Sequence, residues 1–195
     1  MPLDRAVTLR NAEKLIRQGK VDAAIAEFVR IVEDQPQDWA AKNTLGDLYL
    51  RAGQTDKAVQ QYAEIATNFA DEGAVAKAGA LYKKILKLKP DHEHSLLQLA
   101  DILGPQKLYA DARAHLNTLI ELRKAKGDVR GALQAKIRLG SLDPEDYDGR
   151  MQAVNARIEM RDVGGALSDL KDIAGELVEK AVIAKRSRRC AKPPS

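Results

Sequence analysis

Apolar residues along this chain recur at intervals of three and four rather than at every second position. In the stretch VDAAIAEFVRIVED, Val21, Ala24, Ile25, Phe28 and Ile31 fall on one face of a helix. β-branched residues do not alternate with polar ones, and turn residues fall at helical rather than hairpin intervals, so no strand is predicted. The pattern itself repeats. Gly19, Gly73 and Gly127 stand 54 residues apart, and so do Pro36, Pro90 and Pro144. In the same register lie Val21, Val75 and Val129, then Ala24, Ala78 and Ala132, then Ile31, Ile85 and Leu139. Beyond each proline follow Leu45, Leu99 and Ala153, then Ala58, Ala112 and Ala166, then Ile65, Leu119 and Ile173. Residues 19–72, 73–126 and 127–180 are three copies of one sequence unit.

Each copy reads as three helices. The first stops before its proline, which cannot continue a helix and restricts the residue before it. Acidic residues follow directly (Asp38, Asp91, and Glu145 with Asp146), where the positive end of a new helix favours them. In the first copy the second helix is WAAKNTLGDLYLRA, and the third, TDKAVQQYAEIATNF, is entered through a turn at Gly53. A leading helix over residues 5–17 caps the first copy. Ala24, Ala58, Ala78, Ala112, Ala132 and Ala166 let neighbouring helices approach closely. The residue four positions later (Phe28, Tyr62, Tyr82, Leu116 and Leu170) fills the adjoining gap, except at Lys136, where the third copy is expected to be looser. No copy can bury its apolar face alone.

Read in 34-residue windows, the chain resembles the tetratricopeptide repeat (TPR) family, in the manner of its bacterial scaffold proteins. Residues 39–72 carry the resemblance through Leu45, Gly46, Tyr49, Gly53, Ala58 and Tyr62. Residues 5–38 carry it through Gly19, Ala24, Phe28 and Pro36, and residues 147–180 only through Ala166, Leu170 and Ile173. The resemblance implies an all-α fold, a TPR-like α-α superhelix or right-handed solenoid of about ten antiparallel helices. The departure is the 54-residue advance, which inserts one further helix per copy, as in GAVAKAGALYKKILKLKP. An odd number of helices per copy makes consecutive copies enter in opposite directions.

Charge divides the chain at residue 180. Residues 1–180 carry 27 Lys and Arg against 28 Asp and Glu, whereas Lys185, Arg186, Arg188, Arg189 and Lys192 meet no acid in the last fifteen residues. Residues 1–180 are therefore read as the helical repeat domain and 181–195 as a basic tail expected to be disordered. A fourth copy would begin at 181 with Gly, but Arg186 takes the place of the packing alanine. An array cut short, an altered reading frame and a natural terminus all fit that break. No apolar run is long enough to span a bilayer, and the N-terminus has no signal-peptide core, so a cytoplasmic location is the expectation. The sole cysteine, Cys190, lies in the tail and cannot staple the fold.

Catalytic chemistry finds little support. Gly164-Gly165 and Gly104-Pro105 lack the Lys-Ser/Thr of a phosphate-binding loop. Asp91-His92-Glu93-His94 suggests metal ligation, but two histidines one residue apart diverge by about 200° on a helix, which favours a solvated helix start. Lys83, Lys84, Lys87 and Lys89 cluster near a helix end, where cations are favoured anyway. No enzymatic activity, cofactor or metal is expected.

The resemblance implies a non-enzymatic scaffold that binds a peptide or helix of a protein partner on the concave face of the array. By ordinary TPR geometry the contacts are Asn43, Asp47, Leu50 and Arg51. Leu9, Glu13, Asn43 and Asp47 stand where some TPR domains place a carboxylate clamp, and the two acids there argue against one. The alternative is association of the basic tail with nucleic acid or an anionic membrane surface, although the few aromatics make no stacking platform. Self-association is a further expectation, through the uncapped face of the last helix (about 163–180).

Overall fold

The computed structural model describes residues 4–190, with side chains through residue 185. Ten α-helices account for the regular structure among the described residues: α1 (Arg5–Arg17), α2 (Val21–Asp34), α3 (Trp39–Arg51), α4 (Thr55–Asp71), α5 (Val75–Leu88), α6 (Glu93–Leu103), α7 (Tyr109–Ala125), α8 (Val129–Gly140), α9 (Tyr147–Glu159) and α10 (Val163–Cys190). The 54-residue register holds to the residue: α2, α5 and α8 begin at 21, 75 and 129, α3, α6 and α9 at 39, 93 and 147, and α4, α7 and α10 at 55, 109 and 163. The chain forms two compact units, residues 1–102 and 103–195 as divided along the sequence. In unit 1 consecutive helices α1 to α5 pack in order, and in unit 2 α7 to α10 do the same.

Helix ends explain the register. Of the first-type helices, α2 and α5 stop two residues before their prolines, whereas α8 stops at Gly140, four residues before Pro144. The other two types end in a left-handed residue whose following amide donates to a carbonyl five residues back, as Lys20 does to Leu15, Gln54 to Tyr49, Ala74 to Phe69 and Asp128 to Arg123. At the ends of third-type helices the left-handed residue is always glycine: Gly19 (φ 72°), Gly73 (75°) and Gly127 (75°). At the ends of second-type helices it is Gly53 (73°) in the first copy but Lys107 (59°) and Arg161 (62°) in the others. A side chain in this region is strained. The first copy keeps the unstrained residue, and the later two hold the same turn at a cost.

The six alanines expected at helix crossings are buried, with Ala24, Ala58, Ala78 and Ala112 fully so. Phe28, Tyr62, Tyr82 and Leu116 lie buried one turn on. The closest approach joins α3 to α4: a methyl group on Gly46 would meet the Tyr62 ring at 2.7 Å. In unit 2 the equivalent positions hold Val154 and Leu170, where the larger residue on one helix faces the smaller one on the other. Lys136 is only half-buried, as its place among alanine-register gaps leads one to expect.

One expectation is corrected. The helix begun at Val163 continues to Cys190, so residues 181–190 are helical rather than disordered. Between Glu176 and Cys190 the chain has no glycine or proline and is rich in Ala, Lys and Arg, which favour helix. Residues 191–195, with Pro193 and Pro194, lie outside the described residues.

Two predictions follow from these contacts. Lys107→Gly and Arg161→Gly should each raise the stability of the protein by about 0.5–1 kcal/mol, read as a shift of the urea midpoint. Gly46→Ala should lower stability by about 1–3 kcal/mol in the same assay, because the buried Tyr62 ring has no room to retreat.

Candidate partner groove

Helix α4 carries two faces of different use. Ala58, Tyr62, Ile65 and Ala66 are buried in the core of unit 1. On the opposite side, Val59, Gln60, Ala63, Glu64, Thr67 and Asn68 recur at helical spacing and form the floor of a groove of about 790 Å³. Trp39 and Lys42 wall one end, and Lys89, His92 and His94 the other. Trp39, the only tryptophan of the chain, is half-buried there.

Two ion pairs span the groove. Lys42 is 7% exposed, pairs with Glu64 and lies 5.0 Å from the Trp39 ring centroid. Lys89, at the end of α5, reaches Asp56 at the start of α4 over 2.7 Å. The charges of Lys42 and Lys89 are therefore matched within the groove, and the apolar surface of half-buried Trp39 and Ala63 remains as its unsatisfied feature. That suits an amphipathic ligand more than a highly charged one.

The far wall begins with an unusual cap. Asp38 caps α3 by accepting from the Ala41 amide at 3.0 Å, and Asp146 caps α9 by accepting from the Gly149 amide at 3.0 Å. The equivalent position before α6 is His92. Its Nδ1 lies 2.8 Å from the Ser95 hydroxyl and 3.3 Å from the Ser95 amide, which donates to it. Ser95 is fully buried. Burial pushes the His92 imidazole below its ordinary range, and the neighbours His94 and Lys89 act the same way against Asp91. Asp91, the acid expected at this helix start, is exposed, and the cap is His92. The two histidine rings stand 6.4 Å apart and nearly perpendicular. No group of three or more His, Cys, Asp or Glu residues suited to a metal ion occurs among the described residues.

The four residues predicted from the sequence do not line this groove. They share one face of α3, which looks toward α5. Asp47 accepts from the Tyr62 hydroxyl at 2.5 Å and from the Lys84 ammonium at 2.9 Å, and Lys84 stands 3.8 Å from the centroid of the Tyr62 ring. Burial raises the Asp47 carboxyl, but the Tyr62 and Lys84 bonds outweigh it and hold it below the usual carboxylate range. Asp47 is exposed, and its two bonds tie α3 to α4 and α5 at the surface. Asn43 and Leu50 are half-buried and Arg51 is exposed.

Residues 9–72, which span α1 to α4 and so this groove's floor and Trp39 wall, match the family model described as tetratricopeptide repeat. Residues 9–72 belong to the tetratricopeptide repeat family. No curated protein sequence matches the chain. Among solved structures, BtubC (BKLC) from P. vanneervenii aligns with a TM-score of 0.50 at 14% identity, over 94% of each chain. The C-terminal part of a TPR repeat-containing protein from Cytophaga hutchinsonii aligns at 0.44 and 16% identity, over 86% of this chain and 74% of that one. A tetratricopeptide repeat protein from Parabacteroides merdae aligns at 0.32 and 16%, over 88% and 79%. At these identities the likeness concerns the fold alone.

Unit 2 of this TPR-containing chain has its own groove, of about 580 Å³, between α8, α9 and α10. Three arginines and five carboxylates line it. Arg150 grips Glu176 through two bonds of 2.6 and 3.1 Å, and Arg157 bridges Asp162 and Asp169 at 2.7 and 2.6 Å. No aromatic or large apolar floor comparable to that of unit 1 is present among its lining residues.

The His92 cap makes unit 1 sensitive to mild acid. Above the ordinary imidazole value of 6.5 both folded and unfolded chains hold a neutral ring, and the cap contributes fully. As pH falls below that value the unfolded chain takes up its proton before the folded one, and stability is lost. His92→Asp should remove this loss and add about 0.5–1 kcal/mol, as at Asp38 and Asp146. Urea midpoints of the wild type and the variant, compared at about pH 7.5 and about pH 5.5, check both statements.

Proposed function

We propose that this chain is a non-enzymatic interaction module, and that the α4 groove of unit 1 receives a helix or extended peptide of a protein partner. TPR repeats generally mediate protein–protein interaction, and the TPR segment includes most of this groove. The observation that carries the reading is the placement of Trp39, half-buried with Ala63 in a groove where Lys42 and Lys89 are already paired with Glu64 and Asp56. Tryptophan is enriched among the residues that dominate interface energetics. A floor formed by one packed helix loses little freedom on binding. An amphipathic helix with one aromatic or aliphatic anchor fits such a groove.

The α3 face with Asn43, Asp47, Leu50 and Arg51 is the competing surface. Since Asp47 is tied to Tyr62 and Lys84, Asn43 and Arg51 are the better probes of that face.

Trp39 also reports on its own groove. With a partner isolated on the full chain and then added back in purified form, intrinsic fluorescence should shift on binding, since no other tryptophan is present. Trp39→Ala should weaken affinity by about 10- to 100-fold, while the double substitution Asn43→Ala with Arg51→Ala leaves it unchanged. The reverse pattern would move the site to α3.

A further inference from the structure

The repeat register identifies a helix that lacks its cover. Helices α1, α4, α7 and α10 are equivalent, and the first three are each followed by a first-type helix that packs on them: α2, α5 and α8. On α4, Tyr62 lies under Lys84 of α5, and Phe69 lies under Lys77 of α5 at 5.3 Å. On α7, the residue equivalent to Phe69 is Arg123, which donates to the Gly131 carbonyl of α8 at 2.9 Å. On α10 the equivalent residue is Leu177, and it is 48% exposed. Leu167, Val178 and Val182 are also exposed, at 52%, 64% and 45%. Leu177, Val178 and Val182 lie on adjacent turns and form an apolar stripe beside the face that α10 packs on α9, and Leu167 stands apart from it beyond Lys171.

Helix α10 is also far longer than its neighbour. At 28 residues against the 13 of α9, it extends about 20 Å further. Lys180 ties it to Glu145 at 2.7 Å. Residues 181–185 are all exposed.

The charges on α10 are segregated along its length. Residues 163–179 contain Asp169, Asp172, Glu176 and Glu179 with only Lys171 against them, whereas residues 180–190 contain Lys180, Lys185, Arg186, Arg188 and Arg189 and no acid. Asp169 and Glu176 are engaged by Arg157 and Arg150 of α9. Asp172 lines the unit 2 groove, where its charge acts on Arg150, and Glu179 remains as the exposed acid open to an outside partner.

We infer that α10 pairs antiparallel with α10 of a second copy of this chain. A two-fold axis near residue 181 lays Leu177, Val178 and Val182 of one protomer against the same residues of its partner. It also sets the acidic half of each helix beside the basic half of the other. The stripe excludes water, and the charge pattern selects the antiparallel orientation over the parallel one, in which like charges would face each other. The basic segment then serves as half of an interface between copies.

Sedimentation equilibrium of the full chain tests this, with helicity of every variant checked by circular dichroism. The wild type should be a dimer whose dissociation constant rises with salt. Val178→Glu with Val182→Glu, at exposed positions, should give a folded monomer. Glu179→Lys, and separately Arg186→Glu with Arg189→Glu, should each weaken self-association by about tenfold or more. An equimolar mixture of those two charge variants should form a heterodimer of restored affinity. A monomeric wild type, a dimer indifferent to the stripe, or a mixture that fails to reassociate would overturn the inference. So would a monomeric chain that instead binds an added peptide of residues 75–88, since that would assign the stripe to a first-type helix.

Discussion

The close crossing of neighbouring helices is the constraint from which the rest of this structure follows. An alanine or glycine on one helix admits a ring or a branched side chain from the next, most tightly where Gly46 meets Tyr62. Small residues leave little apolar surface within any one helix, so stability comes from the interlock and no helix is self-sufficient. The interlock also fixes which side of α4 is left over. With Ala58, Val59, Tyr62, Ile65 and Ala66 committed to the core, Gln60, Ala63 and Thr67 are left to floor the groove.

The register position that holds Phe69 on α4 and Arg123 on α7, each in contact with the following helix, holds exposed Leu177 on α10. Electrostatics is secondary throughout. The ion pairs Lys42–Glu64, Lys89–Asp56 and Arg150–Glu176 join helices already packed and trim the surface of each groove.

Much of the fold could be read in the sequence because its punctuation is chemical. Pro36, Pro90 and Pro144 end helices by removing a donor, and Gly19, Gly73 and Gly127 end them by tolerating a left-handed backbone. Those six residues set the period, and the starts of all nine repeat helices keep it. The turns at Lys107 and Arg161 were hidden because nothing in those side chains announces a left-handed conformation. Only their place in the register, opposite Gly53, betrays them. His92 was hidden likewise: its neighbour Asp91 looks like the cap, and only the equivalence with Asp38 and Asp146 points one residue further. The groove escaped for a different reason. Ordinary TPR spacing puts the contacts on α3, where Asp47 accepts from Lys84 of α5, whereas this groove is floored by α4. A sequence period tells which residues are equivalent, yet not which face a third helix will occupy.

The order in which helices pack has a kinetic meaning. In unit 1 the pairings run α1 with α2, α2 with α3, α3 with α4 and α4 with α5, and in unit 2 α7 with α8, α8 with α9 and α9 with α10. Each crossing forms between segments adjacent in the chain, so loop closure is short and little entropy is lost before contact is rewarded. Such a chain can assemble as it leaves the ribosome, each helix docking on the one made just before it, without waiting for a distant segment. Its amide protons should then exchange in blocks that follow the chain, terminal helices first, and not all at once.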